Sequence, residues 1–322
     1  MKIVPRIVVA LLALACSAAV LAQTYPARPV RLVVAFPPGG NNDILARMIS
    51  ERLQKALGQP FPVENRSGAG GMIGTDAVAK AAPDGYTLLV GSNGPLAVGP
   101  SMMGNAPYDT AKHLAPVAML AAAPIVMVAH SGFRAQTVKE VVDYARANPE
   151  SLRFALPAMG TIHHVMTALF AIQTKTRVII VPYKGAAPAI ADLIAGHVDV
   201  DLENLPGVLP HIRGGRLRAL AVTSPERTEL LPEVPTFREL GFPDMVGVSW
   251  FTLAAPAGTP REIVVRLNEV VNAYLREPET KAELAKQGAT PMILNPEQSG
   301  QFIAQEIQKW SRAVKESGAK PQ

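Results

Sequence analysis

Short apolar runs alternate with helically spaced apolar residues along most of the chain. The run at 29–36 predicts a buried strand, and apolar residues on one helix face follow from Asp43 to the closing Gly58. The alternation continues with strands at 61–64, 87–91, 153–156, 178–183, 198–202 and 218–223, and with helices that end near 82 or span 137–147, 163–173 and 187–195. This alternation predicts an α/β fold with mainly parallel sheets.

Two longer apolar segments, 117–128 and 246–255, flank the middle of this pattern. Each is long enough to leave one domain and enter another, so together they predict two crossing strands that act as a hinge. The length of the chain also favours two domains. The predicted first domain is discontinuous and comprises 23–123 and 247–322, while the second domain, 124–246, is inserted into it.

The clearest helix starts lie in the C-terminal part of the chain. The segments 259–262 (Thr-Pro-Arg-Glu) and 295–298 (Asn-Pro-Glu-Gln) both match a capping box with proline at the first helical position. The second segment precedes apolar residues that share one helix face, which predicts a helix packed against the core.

The N-terminus has the pattern of a secretory signal peptide. Positive charge precedes an apolar stretch at 7–21, and small residues lead to a predicted cut between Ala22 and Gln23. The stretch is shorter than the ~20 residues that span a bilayer, which favours a cleaved signal over an anchor. The segment 1–22 is therefore predicted to be removed, which leaves a mature protein outside the cytoplasm.

Composition narrows the classes of function. The 322 residues are 48% hydrophobic and 18% charged, which excludes a disordered, highly charged chain. The net charge is +5, and it falls to +3 without Lys2 and Arg6 of the predicted signal, which is too little for a nucleic-acid-binding protein. The single cysteine, Cys16, also lies in that segment, so no disulfide framework and no thiol catalyst remain. Lipid attachment at Cys16 stays open as an alternative.

Two glycine-rich loops lie between a predicted strand and a predicted helix. Gly39 and Gly40 precede the first helix, and residues 68–74 precede the second. Glycine lets the backbone approach a ligand closely, and the N–H groups of a helix start attract a carboxylate or a phosphate. The second loop is one residue too long for a dinucleotide-binding motif, and no acidic residue follows the next strand at 91–94. Both loops therefore fit either an anion site or a plain tight turn, and no nucleotide cofactor is expected.

No sequence motif for a metal site or for a nucleophilic catalyst occurs. The chain lacks HExxH, paired cysteines, an Asp-rich loop and a G-x-S-x-G turn. His163 and His164 are adjacent, so their side chains point about 100° apart on a helix and cannot chelate one ion together. Asp199, Asp201 and Glu203 alternate on one predicted strand and share a face. They form either a carboxylate cluster for acid–base or metal chemistry, or the solvent-facing side of a strand that ends at a cleft.

The segments together resemble one family, the substrate-binding proteins of tripartite tricarboxylate transporters, also called the Bug family. The resemblance begins with the segment 36–40 (Phe-Pro-Pro-Gly-Gly) followed by 43–47 (Asp-Ile-Leu-Ala-Arg). It covers essentially the whole predicted mature chain, because the further matching segments are 64–71, 79–88, 107–109, 181–185, 204–206, 217–223 and 255–260.

The resemblance implies a type II-like periplasmic-binding-protein clamshell of two α/β domains, each with a mainly parallel sheet flanked by helices and with two crossing hinge strands between them. It implies a solute-binding protein rather than an enzyme. Such a protein captures a small organic carboxylate between its domains in the periplasm and delivers it to membrane transporter subunits. No cofactor, metal or nucleic acid is implied, and a monomer is expected.

The resemblance also supplies candidate ligand-binding residues. The glycine loops of the first domain are expected to hold one carboxylate, partly through ordered waters, and the second domain to recognise the rest of the ligand on closure. The first-domain candidates are Phe36, Gly39, Gly40, Asn41, Asn42, Asp43, Gly70 and Asn93. The second-domain candidates are Gly160, Thr161, His164, Tyr183, Gly185 and Glu203.

The chain departs from the usual family pattern at several positions. Met159 and Ile162 replace small or polar residues, which favours an aromatic or branched carboxylate over a highly charged tricarboxylate. Glu203 stands where Asp is common, and its extra methylene group shortens the space for the ligand. Asn41 and Asn42 stand where small residues and Thr are usual, which changes the expected water pattern at the first carboxylate.

Two other functions stay open on the sequence. One is a periplasmic ligand sensor that presents its closed form to a signalling kinase. The other is a secreted enzyme that uses Asp199, Asp201 and Glu203.

Overall fold

A computed structural model describes residues 25–319, so the predicted signal peptide and Cys16 lie outside the described residues. The strands are β1 (Arg31–Val34), β2 (Val63–Asn65), β3 (Thr87–Ser92), β4 (Leu114–His130), β5 (Arg153–Leu156), β6 (Ile179–Pro182), β7 (Val200–Asn204), β8 (Leu217–Val222), β9 (Val248–Pro256) and β10 (Thr290–Pro291). The helices are α1 (Asn41–Leu57), α2 (Met72–Ala79), α3 (Gly99–Met102), α4 (Thr110–His113), α5 (Val138–Ala147), α6 (Ile162–Thr174), α7 (Ala186–Ala195), α8 (Leu205–Arg213), α9 (Arg261–Arg276), α10 (Pro278–Lys286) and α11 (Pro296–Ser317). The predicted alternation of strand and helix is confirmed.

Strand β4 belongs to two sheets. Its residues 114–124 run antiparallel to β9, and residues 125–130 run antiparallel to β7 and β8. The first sheet has the order β2-β1-β3-β9-β4, and the second continues as β4-β7-β5-β6. Strands β1, β2 and β3 are mutually parallel, and so are β5, β6 and β7. The predicted pair of mainly parallel sheets is therefore confirmed.

A buried threonine joins the two places where the chain passes between the sheets. The Thr223 hydroxyl lies 3.2 Å from the carbonyl oxygen of Ile125 on β4 and 2.5 Å from that of Gly247, which precedes β9. The Gly247 N–H donates in turn to the Thr223 carbonyl at 3.0 Å. The outward and returning crossings are thus held side by side.

Apolar side chains fill both faces of the first sheet. Leu32 of β1, Ile49 of α1 and Leu267 of α9 belong to one buried cluster, so α1 and α9 cover one face. The cluster on the other face includes Trp250 of β9 and Trp310 of α11, and it continues into the second sheet. Burial of this apolar surface is the main stabilising contribution, and it extends across the crossing.

The two predicted capping boxes have different outcomes. At α11 the box is confirmed, because Asn295 accepts from the Gln298 N–H and the Gln298 side chain accepts from the Asn295 N–H. At α9 the prediction is wrong. Pro260 occupies the N-cap position instead of the first helical position, so Thr259 lies one residue too early, and its hydroxyl donates to the Pro256 carbonyl at 2.8 Å.

One carboxylate binds both buried indoles of the cluster. Oε2 of Glu306 on α11 accepts from Nε1 of Trp250 and from Nε1 of Trp310, each at 2.8 Å. Removing the carboxylate leaves two buried N–H groups without their acceptor, which costs free energy.

Replacing Glu306 with alanine is expected to lower the free energy of unfolding by about 1–3 kcal/mol, because buried donors lose a charged acceptor. Urea unfolding followed by circular dichroism measures this. Glu316→Ala is the matched control, since Glu316 is exposed on the same helix. An equal loss in both variants would contradict the assigned role of Glu306.

Candidate functional site

A cavity of about 100 Å³ lies between the carboxyl ends of the parallel strands of the two sheets. The first sheet supplies wall residues from the segments 36–42, 92–94 and 249–251. The second sheet supplies wall residues from 157–163, 185–188 and 203–204. This volume is enough for several water molecules or for one small organic molecule. The edge of the sheets at which the cavity lies is the usual ligand-binding edge of open α/β sheets.

The loop after β1 and the first turn of α1 form part of the cavity wall. Gly39 has φ +84°, a conformation that favours glycine, and Gly40 is the N-cap of α1. Asn41 and Asn42 form the first turn of α1 and line the cavity. First-turn N–H groups have no partner within their own helix, and they lie at the positive end of the helix dipole. The first turn of α1 is where the predicted anion site of this loop would lie, and that site stays a prediction.

Asp43 holds the loop in shape from behind the cavity wall. Its carboxylate accepts from the Gly39 N–H at 3.0 Å, from Arg47 at 3.0 Å and from Asn65 Nδ2 at 2.9 Å. Burial would raise the pKa of this carboxyl group, but the hydrogen bonds from Arg47, Gly39 and Asn65 outweigh burial and hold the pKa below its usual value. Asp43 is therefore an ionised support for the loop and does not line the cavity.

The opposite wall consists largely of helix starts. Thr161 is the N-cap of α6, Gly185 is the N-cap of α7, and Asn204 is the N-cap of α8, and all three line the cavity. Together with α1, these helices direct the positive ends of their dipoles toward one space. No lysine or arginine among residues 25–319 lines the cavity. The described wall therefore offers an anion main-chain N–H groups and neutral side-chain donors such as Asn42 and Ser249.

The three acidic side chains predicted to share a face of β7 are all buried. Glu203 of β7 is 1% exposed and lines the cavity, whereas Asp201 is 0% exposed and does not. Asp199 is also buried and is paired with Arg153 at 2.8 Å. The interpretation of this face as solvent-facing is therefore wrong, because β4 and α6 pack around it. Burial and the neighbouring Glu203 raise the pKa of Asp201 well above its usual value.

His163 lies beside Glu203, with Nε2 3.8 Å from Oε1. Burial lowers the pKa of His163 to about 4, although interaction with Asn204 opposes the shift. The imidazole is therefore neutral near pH 7. No group of three or more His, Cys, Asp or Glu side chains within 25–319 is placed to hold a metal ion.

The structure brings part of the predicted site together. The cavity is lined by Phe36, Gly40, Asn41, Asn42, Asn93, Thr161, Gly185 and Glu203. The other candidates lie outside its wall: Gly39, Asp43, Gly70, Gly160, His164 and Tyr183. Of these, His164 Nδ1 lies 3.5 Å from the Gly160 nitrogen, and the Tyr183 hydroxyl donates to Asp192 at 2.8 Å.

Sequence reasoning missed His163, Ser92, Ser249 and Asn204, all of which line the cavity. Which of His163 and His164 faces the cavity depends on how α6 is rotated about its axis. The sequence shows two adjacent histidines but not this rotation. The two serines, by contrast, could have been found from their positions at strand ends.

Met159 and Ile162 do not line the cavity. Ile162 is 1% exposed and belongs to the apolar cluster shared by the sheets. The structure therefore gives no support to a preference for aromatic or branched carboxylates based on these two residues.

The protein resembles known proteins over nearly its whole described length. Residues 45–319 match the family model described as "Tripartite tricarboxylate transporter family receptor". Protein BugT of Bordetella pertussis is 47% identical over 305 residues, which are 94% of each chain. Among solved structures, R. palustris Rpa4515 with adipate is 37% identical with a TM-score of 0.89, covering 92% of this chain and 100% of that one.

MatC from Rhodopseudomonas palustris with bound malate is 33% identical with a TM-score of 0.84, covering 90% of this chain and 100% of the other. These likenesses confirm the predicted clamshell fold of the periplasmic-binding-protein type. In the part of the chain that the structure describes, no helix is both long and apolar enough to cross a membrane.

Replacing Asp43 with asparagine is expected to lower the free energy of unfolding by about 1–3 kcal/mol, because the loop loses a charged acceptor. The deficit should start to shrink as the pH falls below about 4, where the carboxyl group of the unfolded chain binds a proton, and it should vanish once the pH falls below the lowered pKa of the native carboxylate. Urea unfolding at several pH values measures both effects.

The control is Asp143→Asn, which breaks an exposed pair with Lys139 at the same i,i+4 spacing. That change should cost less than about 0.5 kcal/mol. Equal losses in the two variants would contradict the supporting role of Asp43.

Proposed function

The chain belongs to the family of tripartite tricarboxylate transporter receptors, and on that premise we propose that it is a periplasmic solute-binding protein for a small organic carboxylate. The observation that carries this proposal is the cavity itself, because both sheets contribute helix starts to it, whereas no lysine or arginine among residues 25–319 lines it. Rpa4515 and MatC have adipate and malate bound, which supports carboxylate as the ligand class here. The family consists of solute-binding proteins, so we propose capture without turnover.

Delivery to membrane transporter subunits follows from the family and completes the proposed function. The protein would reach the periplasm through removal of the segment 1–22 and would act as a monomer. We place the domains at 23–123 with 247–322 and at 124–246. The hinge then lies where β4 changes its partners and where Thr223 joins the returning chain.

The structure corresponds to a closed form, in which loops of the two sheets touch around the cavity. A Cβ atom added at Gly70 would overlap the carbonyl oxygen of Met159 from the opposite side. A Cβ atom at Gly185 would lie 3.3 Å from Pro37 Cγ. The two glycines thus permit the loops of the two sheets to approach each other closely. Because some ligand contacts form only on closure, the ligand binds the closed form more tightly.

The ligand class is tested by thermal unfolding and calorimetry with adipate, malate, benzoate, a sugar and an amine. A carboxylate at 100 times its dissociation constant should stabilise the protein by about 2.7 kcal/mol, which raises the melting temperature by several degrees. Stabilisation by the sugar or the amine alone would contradict the proposal. Recovery of an altered ligand after incubation would contradict capture without turnover.

Closure is tested with Gly70→Ala. The new methyl group should hold the loops apart, and a cost of about 1.4 kcal/mol on the closed form weakens carboxylate binding about tenfold. Gly58→Ala is the matched control, because Gly58 also has positive φ, +74°, but a Cβ atom there meets nothing within 4 Å. Both variants carry similar backbone strain, so equal affinities in calorimetry would contradict the assigned closing contact.

A further inference from the structure

Glu203 has one engaged and one free carboxyl oxygen. Its Oε1 accepts from the main-chain N–H of Asn204 at 2.6 Å. Its Oε2 is buried and has no hydrogen-bond partner among residues 25–319. The side chain lines the cavity between the sheets. A buried polar atom without a partner is costly, so a ligand atom in the cavity is the natural partner of Oε2.

Among the described residues, no cation lies near Glu203 to balance a negative charge on its carboxylate. On α6, His163 faces it with both ring nitrogens unpartnered, and this imidazole is neutral near pH 7. On β7 itself, Asp201 is fully buried with both oxygens unpartnered. After β6, the hydroxyl of Tyr183 is engaged by Asp192.

The remaining neighbours of Glu203 carry no charge toward it. The facing part of β4, residues 125–128, contains no titratable side chain. Across the cavity the wall has Asn42, Asn93 and Ser249, which are neutral. Asp43 behind that wall is paired with Arg47.

These surroundings favour the neutral acid. Burial raises the pKa of Glu203 to about 7, although the N–H of Asn204 acts in the opposite direction. In the neutral acid, Oε1 keeps its bond from Asn204, and the proton on Oε2 has no acceptor among the described residues, so a ligand atom in the cavity can supply one. The helix starts around the cavity attract an anion to the same space.

We propose that Glu203 is a specificity-determining residue that binds a second carboxylate of the ligand by donating a hydrogen bond from its protonated Oε2. The inference rests on the proposed function and deepens it, because it assigns the end of the ligand remote from the α1 loop. A dicarboxylate then binds together with one proton. Where Glu203 is ionised in the free protein, that proton comes from the solvent.

The test is calorimetry of adipate and malate binding between pH 6.5 and 8.5 with the full mature chain. For the native protein, the dissociation constant should rise about tenfold per pH unit above pH 7, because binding takes up a proton. Titration in two buffers of different ionisation enthalpy should show nearly one proton taken up per ligand at pH 8.

Glu203→Gln is the decisive variant, since its amide is a permanent donor of similar shape. It should bind dicarboxylates with less than about twofold change over this pH range and without proton uptake. Asp201→Asn is the matched control, because Asp201 is equally buried on the same strand face but does not line the cavity. This variant should keep the pH dependence.

Several results would overturn the proposal. They are a flat pH profile for the native protein, proton release on binding, or loss of carboxylate binding in a folded Glu203→Gln protein. Release would show that the complex favours the ionised carboxylate, which cannot donate the proposed hydrogen bond. Loss of the pH dependence in Asp201→Asn would place the proton on Asp201 instead. If no carboxylate binds at any pH, the proposed function fails as well, whereas pH-independent carboxylate binding leaves that function intact.

Discussion

Strand β4 determines where the cavity forms, because it hydrogen-bonds in both sheets. In the first sheet, β3 and β4 both pair antiparallel with β9, so β1, β2 and β3 run in the direction of β4. In the second sheet, β7 runs against β4, and β5 and β6 follow β7. The carboxyl ends of both sets of parallel strands therefore point toward the place where β4 changes partners. The two ligand-binding edges meet there without any further element to align them.

The same geometry explains how the site can attract an anion without a lysine or arginine in its described wall. Each strand that ends at the crossing is followed by a helix, and the first N–H groups of that helix remain free. Four such starts, at Asn41, Ile162, Ala186 and Leu205, belong to the described helices around the cavity. The backbone fixes the direction of these helix dipoles, so no side chain has to be ordered, at a cost in entropy, when a ligand binds. Specificity is then left to a few side chains, among which Glu203 is the only acidic one in the described wall.

The apolar pattern was sufficient to predict most of the strands and helices, because buried faces impose a period on the sequence. It did not predict helices α8 and α10 or the short strand β10. The glycine loop at 39–40 could also be placed between a strand and a helix, but its position left both an anion site and a plain tight turn open. The acidic face of β7 could not be interpreted correctly. Alternation shows that Asp199, Asp201 and Glu203 share a face, but only packing by α6 and β4 shows that the face is buried. Similarly, the sequence cannot show which of the adjacent His163 and His164 faces the cavity. That depends on the residue at which the helix begins, and Thr161 is its N-cap.

The shared acceptor of the two indoles has a spectroscopic consequence. Trp250 and Trp310 are the two tryptophans of the chain, and both donate to Glu306 beside the crossing. Ser249 and Phe251, the neighbours of Trp250 on β9, line the cavity. The intrinsic tryptophan fluorescence of the protein therefore originates beside the proposed hinge, where β4 changes partners. If the proposed closure occurs, unlabelled protein carries its own optical reporter of it.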